Sequence, residues 1–466
     1  MKIKIFILLL VVIIVQANCL SSSFAFSIGE EREVGDKLLY SVRSSFNLIE
    51  DPDIVQYINK LGRSVLAVTG IQYFSYRFYV INNKAFNAFA APSGLIFFYT
   101  GLISTMDNED QLVAVMAHEI GHIVKRHLAA RVEKGKFSSL ASLGLAIAAM
   151  AVGGAGTPTL LAGALATGKS INLHFSRKHE EEADLLAYGW MKRLKRNPEA
   201  QAEMLESMRR IARYRSDQLP QYLLTHPNPE GRLHYIESLL DIDRDFNKKN
   251  SVKTDNFAFL RFKYRILAQV KDTQLFKISL QRIIAENNRA NMPYIMAEYG
   301  LSQIARNEND HRESLRLIKN VMRAYPGKNI LKADLGVIEM ESGLYQEAEQ
   351  SFKEALQTDN KDMYATFNLA KLLHLMGRIG EAEKYYRIVQ YELPEYAQVY
   401  FELGKIVSEQ NNEYLAQFYL GKYNLYEGEL KLAELHLKNG MRGGNLPEKI
   451  ARESEELLKK IKILQK

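Results

Sequence analysis

His118-Glu119-Ile120-Gly121-His122 is the stretch from which the rest of this chain can be read. It lies inside Gln111–His127, an apolar run that reads as a buried helix. Residues four apart share a helical face, so His118 and His122 direct two imidazoles at one point. Glu119 is turned about 100° from His118, beside that point but not aimed at it. Two imidazoles suit a divalent cation of zinc's softness, and the neighbouring carboxylate suits removal of a proton from water. The pattern therefore predicts zinc-dependent peptide hydrolysis. The competing reading is a pair of core histidines on an apolar helix.

A catalytic zinc takes three protein ligands and keeps a fourth position open. An HExxHxxGxxH arrangement is excluded, because Lys125 and Leu128 stand where its Gly and third His would be. The other source is a carboxylate from a second helix. Ser176-Arg177-Lys178-His179-Glu180-Glu181-Glu182-Ala183-Asp184 opens such a helix. Glu180 and Asp184 are four apart on one face. Glu180 is placed to ligate, and Asp184 to accept the second N–H of a ligating imidazole. Spacing alone leaves Glu180, Glu181 and Glu182 unseparated, and a solvated acidic face reads equally well.

These motifs together resemble the M48 family of zinc metallopeptidases, whose downstream motif is roughly SRxxExxAD. The resemblance places the ligand Glu on Glu180 and the outer-shell Asp on Asp184, leaving Glu181 and Glu182 exposed. It implies one zinc ion per chain, with Glu119 and Asp184 serving catalysis. Asn83-Lys84-Ala85-Phe86-Asn87-Ala88-Phe89 and the following Pro92-Ser93-Gly94 resemble the family's strand and hairpin before the zinc helix. Asn87, Ala88 and Phe89 are candidates for an edge that pairs with an extended peptide. An ordinary core strand is the alternative.

His226 stands in Leu224-Thr225-His226-Pro227-Asn228-Pro229, where two prolines make a stiff turn. Periplasmic members of the family carry a similar segment, and the resemblance implies that His226 fills the fourth zinc position at rest. The protease would then be latent. A helix-capping His is the plainer reading. His127, His174, His179 and His234 have no ligand-like spacing and read as structural, with His127 on the surface, about 140° around the helix from His122.

Residues 1–25 read as a secretory signal peptide: Lys2 and Lys4, an apolar core from Ile5 to Val15, and Ser23-Phe24-Ala25 as the cleavage site. Its removal takes the formal charge from +7 to +5, too mild a balance to imply nucleic acid. Cys19 is the one cysteine. It lacks the small preceding residue of a lipoprotein signal, so lipidation is disfavoured, and a mature chain starting at Phe26 has no disulfide. Export to a bacterial periplasm fits this composition. The apolar stretch 138–167 is broken at Gly153-Gly154-Ala155-Gly156-Thr157-Pro158 and is too short to span a bilayer. It reads as a two-helix lid, and the second reading is peripheral contact with a membrane or with apolar clients.

The second half is periodic. Leu335-Gly336, Leu369-Ala370 and Leu403-Gly404 recur every 34 residues, as do Ala348, Ala382 and Ala416. Gly343 pairs with Gly377 and Phe352 with Tyr386 at the same offset. This resembles the tetratricopeptide repeat, two antiparallel helices per unit. Units read as 295–328, 329–362, 363–396 and 397–430. Leu420-Gly421 and Ala433 fit an overlapping register from near 414, and Ala451–Lys466 reads as a capping helix. A polar stretch, Asp241–Asn256, separates the halves.

The expectation is therefore a mainly α protein: a signal peptide (1–25), a zincin-type α+β metalloprotease domain (26–245) and an α-solenoid (257–466). Zinc would be held by His118, His122, Glu180 and, at rest, His226. For periplasmic members with such repeats, the resemblance implies misfolded or stalled outer-membrane proteins as substrates. It also implies the barrel assembly machinery as a partner and association with the outer membrane. A chaperone or adaptor working through its repeats is the alternative function. An integral-membrane peptidase would need uninterrupted apolar spans, which the sequence lacks.

Overall fold

The computed structural model describes residues 27–133, 175–214, 219–270, 273–442 and 446–465. The expected signal peptide, Cys19, His174 and the 138–167 stretch lie outside the described residues. The chain is mainly α, with one small sheet.

α1 (Ile28–Ser45) begins at a reciprocal cap in which Ser27 and Glu30 satisfy each other's backbone N–H groups. α2 (Pro52–Leu66) is capped by Asp51, with Pro52 at the position where a missing N–H costs nothing. Three short strands follow: β1 (Arg77–Ile81), β2 (Ala88–Ala91) and β3 (Leu95–Tyr99). β3 is central, parallel to β1 and antiparallel to β2, with Ala88 opposite Phe98 and Ala91 opposite Leu95. The β2–β3 turn is tight because Ser93 and Gly94 both take positive φ (68° and 80°). After α3 (Thr100–Thr105), α4 (Glu109–Val124) is capped by Asn108 and runs through the core, buried from Glu109 to Ile123.

α4 ends earlier than the apolar pattern suggests. Arg126 takes φ 50°, the chain reverses, and α5 (His127–Glu133) starts a new direction. α6 (Arg177–Arg193) packs along α4, and α7 (Glu199–Tyr214) covers both α4 and the later α9 (Pro229–Ile242). α8 (Gln221–Thr225) is a short turn before α9. One apolar cluster joins these helices, including Ile120, Ala187, Met204 and Ile236.

The polar stretch between the halves is partly helical, as α10 (Arg244–Asn250), and its tail is tied back to the first half. Thr254 donates to Asp110 at 2.8 Å, and the Val252 N–H donates to the Lys195 carbonyl. α11 (Phe257–Ala268) and α12 (Gln274–Glu286) lie ahead of the repeats, and both pack on the helix that follows them, α13 (Met292–Asn307). α11 places Phe259, Phe262 and Ile266 in the first core and Phe257 and Tyr264 in the next. Helix pairs α13/α14 (Met292–Asn307, His311–Ala324), α15/α16 (Ile330–Glu341, Tyr345–Thr358), α17/α18 (Met363–Leu375, Ile379–Glu392) and α19/α20 (Ala397–Glu409, Glu413–Tyr426) follow. α21 (Leu430–Arg442) and α22 (Glu448–Leu464) end the chain. The overlapping register near 414 has a structural cause: α20 packs on α19 and equally on α21, with Gly421 against Leu437. Among the described residues, no helix is long and apolar enough to cross a membrane.

Candidate metal centre

Four side chains from three segments converge. α4 supplies His118 and His122, with ring centroids 4.7 Å apart. α6 supplies Glu180 from its first turn, which Ser176 fixes by accepting the His179 N–H at 3.2 Å. The two helices come this close because residue 121 is glycine. A Cβ there would stand 3.1 Å from Ala183 Cα, between the ligand-bearing turns. His226 follows α8, and its own N–H donates to the Tyr222 carbonyl at 2.8 Å. Asn228 then takes φ 61° and caps α9 through Gly231 N–H.

One nitrogen or oxygen from each of His118, His122, Glu180 and His226 lies within 4.8 Å of the others, and all four residues are buried. His118 Nε2 is 3.1 Å from His122 Nε2 and 3.4 Å from His226 Nδ1. Glu180 Oε1 is 3.1 Å from His226 Nδ1 and 3.5 Å from His122 Nε2.

The opposite sides of the rings decide what these atoms carry. Hydrogen positions follow from the partners. His118 Nδ1 is 2.8 Å from the Asp184 carboxylate, an acceptor, so Nδ1 holds the hydrogen and Nε2 a lone pair. Burial pushes the His122 imidazole well below its usual range and the His226 imidazole down to about 3, keeping both neutral. Burial pushes the Glu180 carboxyl up to about 7, against the pull of Arg232 and His118. The His118 Nε2 lone pair faces His122 Nε2 at 3.1 Å and His226 Nδ1 at 3.4 Å, with the Glu180 carboxylate 3.6 Å away. A cation bound by two or three nitrogens and one oxygen satisfies all of them, and the donor set fits a tetrahedral metal site.

Arg232, from α9, was not singled out from the sequence and anchors the outer shell. Its guanidinium grips Asp184 at 2.7 and 2.8 Å and lies 2.7 Å from Glu180. Burial works to raise the Asp184 carboxyl, but Arg232 and His118 outweigh it and hold it below the usual carboxylate range. Gln201, from α7, donates to the Asp184 carbonyl. Nothing in the spacing marks these residues, because their positions depend on how α7 and α9 fold back over α6.

Glu119 lies beside the cluster and contributes no atom to it. Burial raises its carboxyl above the usual range, opposed by His226. The Tyr222 hydroxyl donates to its Oε1 at 3.2 Å, while its buried Oε2 has no hydrogen-bond partner.

Two expectations need correction. His127 is buried, not on the surface, because α4 stops at Val124 and the turn at Arg126 redirects the chain. Its ring lies beneath His122, with the two Nδ1 atoms 2.9 Å apart. Glu182 is half-buried and hydrogen-bonded to His127, whereas Glu181 is exposed. His179 stacks on His127, and His234 is solvent-facing.

Residues 53–240 match the model of Peptidase family M48, and 299–362 and 339–400 match tetratricopeptide repeat models. The chain is 33% identical over 313 residues to the Beta-barrel assembly-enhancing protease of Escherichia coli (strain K12). That match covers 66% of this chain and 62% of the relative, about three fifths of the relative's own length. The protein of the same name from Yersinia pestis is 34% identical over 220 residues, covering 46% of this chain and 44% of its own. A Mitochondrial metalloendopeptidase OMA1 from Schizosaccharomyces pombe (strain 972 / ATCC 24843) is 30% identical over 210 residues, covering 45% and 57% respectively. The M48 match encloses the converging side chains and the repeat matches enclose α14 to α18: the chain carries a Peptidase family M48 domain followed by tetratricopeptide repeats.

Proposed function

We propose that this chain is a zinc-dependent endopeptidase of the bacterial envelope, held latent by His226. The observation that carries the reading is the buried convergence of His118, His122, Glu180 and His226 beside Glu119. His118, His122 and Glu180 would hold the metal throughout, and His226 would stand where a substrate needs to bind. Bound there, zinc supplies a Lewis acid for a peptide carbonyl and makes water acidic enough to react. Glu119, through its Oε2, would be the group that takes a proton from water and returns it to the leaving amine. Asp184 and Arg232 hold His118 and Glu180 in place. β2 is an edge strand that packs on α4, and Asn87, Ala88 and Phe89 are all buried, so strand addition of an extended substrate there would first require this edge to be uncovered.

The name of the E. coli relative and the concave surface that stacked helical pairs create favour misassembled outer-membrane proteins as clients. The same observations favour a periplasmic setting and the barrel assembly machinery as partner. The buried His226 turn also favours a second reading, in which the repeats act as a chaperone or adaptor while the protease stays dormant.

The test is purified protein, its zinc content, and its cleavage of a loosely folded test protein. Glu119→Gln should retain one zinc per chain and lose about 10²- to 10⁴-fold in rate, the usual contribution of a general base. Full activity in that variant would remove Glu119 from the chemistry. Full cellular function without cleavage would favour the adaptor.

A further inference from the structure

The two α4 histidines are oriented from behind by different devices. His118 Nδ1 meets the Asp184 carboxylate directly, at 2.8 Å. His122 Nδ1 meets no carboxylate. It lies 2.9 Å from Nδ1 of His127, whose Nε2 is 3.0 Å from Glu182 Oε2. His127 is 2% exposed, and its ring is clamped face to face with His179, centroids 4.3 Å apart and planes 13° apart. Phe175 covers the flank of His122 at 4.0 Å.

We propose that Glu182 and His127 form a relay that sets the tautomer and aim of His122, making both positioning residues for the metal. The hydrogen count admits one arrangement for neutral rings. Glu182 is a carboxylate and only accepts, so His127 Nε2 carries the hydrogen. His127 Nδ1 then holds a lone pair, so the hydrogen between the two rings belongs to His122 Nδ1. His122 Nε2 is left with its lone pair facing His118 and Glu180. The reverse tautomer would put a hydrogen on His122 Nε2 and remove a ligand. An outer partner of this kind fixes ring orientation and strengthens the ligand. All three carboxylates involved, Glu180, Glu182 and Asp184, come from two turns of α6. One helix thus supplies a ligand and the orienting groups for both others.

This inference rests on the metal reading above. The test measures zinc affinity by competition with a chromophoric chelator and the visible spectrum of the cobalt-substituted protein. His127→Phe keeps the ring volume but removes the acceptor. It should bind zinc about 10- to 100-fold more weakly, the range for loss of an outer partner, and shift the cobalt bands. His127→Asn places an amide oxygen where Nδ1 stood and should recover most of the affinity. Glu182→Ala, at the solvent edge, should also weaken binding, by a smaller factor. A purely structural role would lower the melting temperature of the metal-free variants and leave the affinity of the folded protein unchanged. Parent-like zinc affinity and cobalt spectra in both His127→Phe and Glu182→Ala overturn the relay. Should His127→Phe not fold, parent-like behaviour of Glu182→Ala alone overturns it. A parent that binds no zinc would instead overturn the metal reading.

Discussion

In the proposed latent form, His226 holds the site shut. Its imidazole is stacked on Tyr222 at 4.4 Å and lies 3.1 Å from Glu180, in a turn stiffened by Pro227 and by Asn228 in the left-handed region. Tyr222 adds a second clasp through its hydroxyl on Glu119. Opening the site must therefore move α8 as a unit. His226→Ala should cleave a loosely folded substrate faster than the parent while keeping its zinc. Equal or slower cleavage would mean that His226 does not limit access. At this scale the sequence was legible wherever chemistry and local spacing coincide. His118, His122 and Glu119 follow from helical spacing, and Glu180 and His226 from motif resemblance; in the structure His118, His122, Glu180 and His226 converge, with Glu119 beside them. Arg232 and Tyr222 were not legible, because a guanidinium in α9 and a phenol in α8 acquire their partners only through tertiary folding. His127 was misjudged because the helical period was carried past the turn at Arg126, where α4 had already ended.

The decisive element contact is α4 against α6. Gly121 and Ala183 let two helices meet almost backbone to backbone, so the histidines of one and the carboxylate of the other reach a common point. Gly121→Val places branches where a Cβ already stands 3.1 Å from Ala183 Cα and 3.3 Å from its carbonyl oxygen. The helices must part. We expect a loss of about 1–3 kcal/mol in stability from overpacking, together with weakened zinc binding. Denaturant unfolding and chelator competition would measure the two, and an unchanged zinc affinity would mean that the gap does not control the grip. The sheet is another element-scale device. The strand and hairpin around Pro92-Ser93-Gly94 were readable through the family resemblance, but the strand order, with β3 between β1 and β2, was not. Strand order depends on which edges later helices cover. The repeats were the most legible part, since each 34-residue unit carries its own small residues at its own helix contacts. The last register blurred because α20 serves two neighbours at once.

Over the whole molecule, the protease and repeat halves are joined by a buried ionic network and not by a loose tether. Arg261 and Arg265, four apart on α11, reach Asp53 at the start of α2 and Asp334 on α15; Arg265 also reaches Asp51. The Arg265 guanidinium lies over the Tyr364 ring at 4.2 Å. Gln56 of α2 accepts from Met363 N–H and donates to the Lys361 carbonyl, a further stitch between the halves. Removing one partner strands the others, so Arg265→Met should cost about 3–5 kcal/mol, read by denaturant unfolding. A near-zero change would make the network dispensable. Its pH response has a definite sign. Burial works to raise the Asp53 carboxyl, but Arg261 and Arg265 hold it below the usual carboxylate range. The unfolded chain therefore binds the proton more readily, and stability from this group is complete above about pH 4 and lost as pH falls through the depressed folded value. Between pH 5 and pH 2.5 the parent's melting temperature should fall more steeply than that of Asp53→Asn; parallel curves would exclude Asp53 as a source of acid sensitivity. None of these long-range pairs is visible in spacing, because the partners lie far apart along the chain. The central claim is that two helices grip one zinc ion. Anomalous scattering from a crystal, recorded just above and just below the zinc edge, tests it most directly. The account predicts one zinc peak within bonding distance of His118, His122 and Glu180. No peak there, or Glu180 turned away from a peak held by the histidines alone, would contradict it.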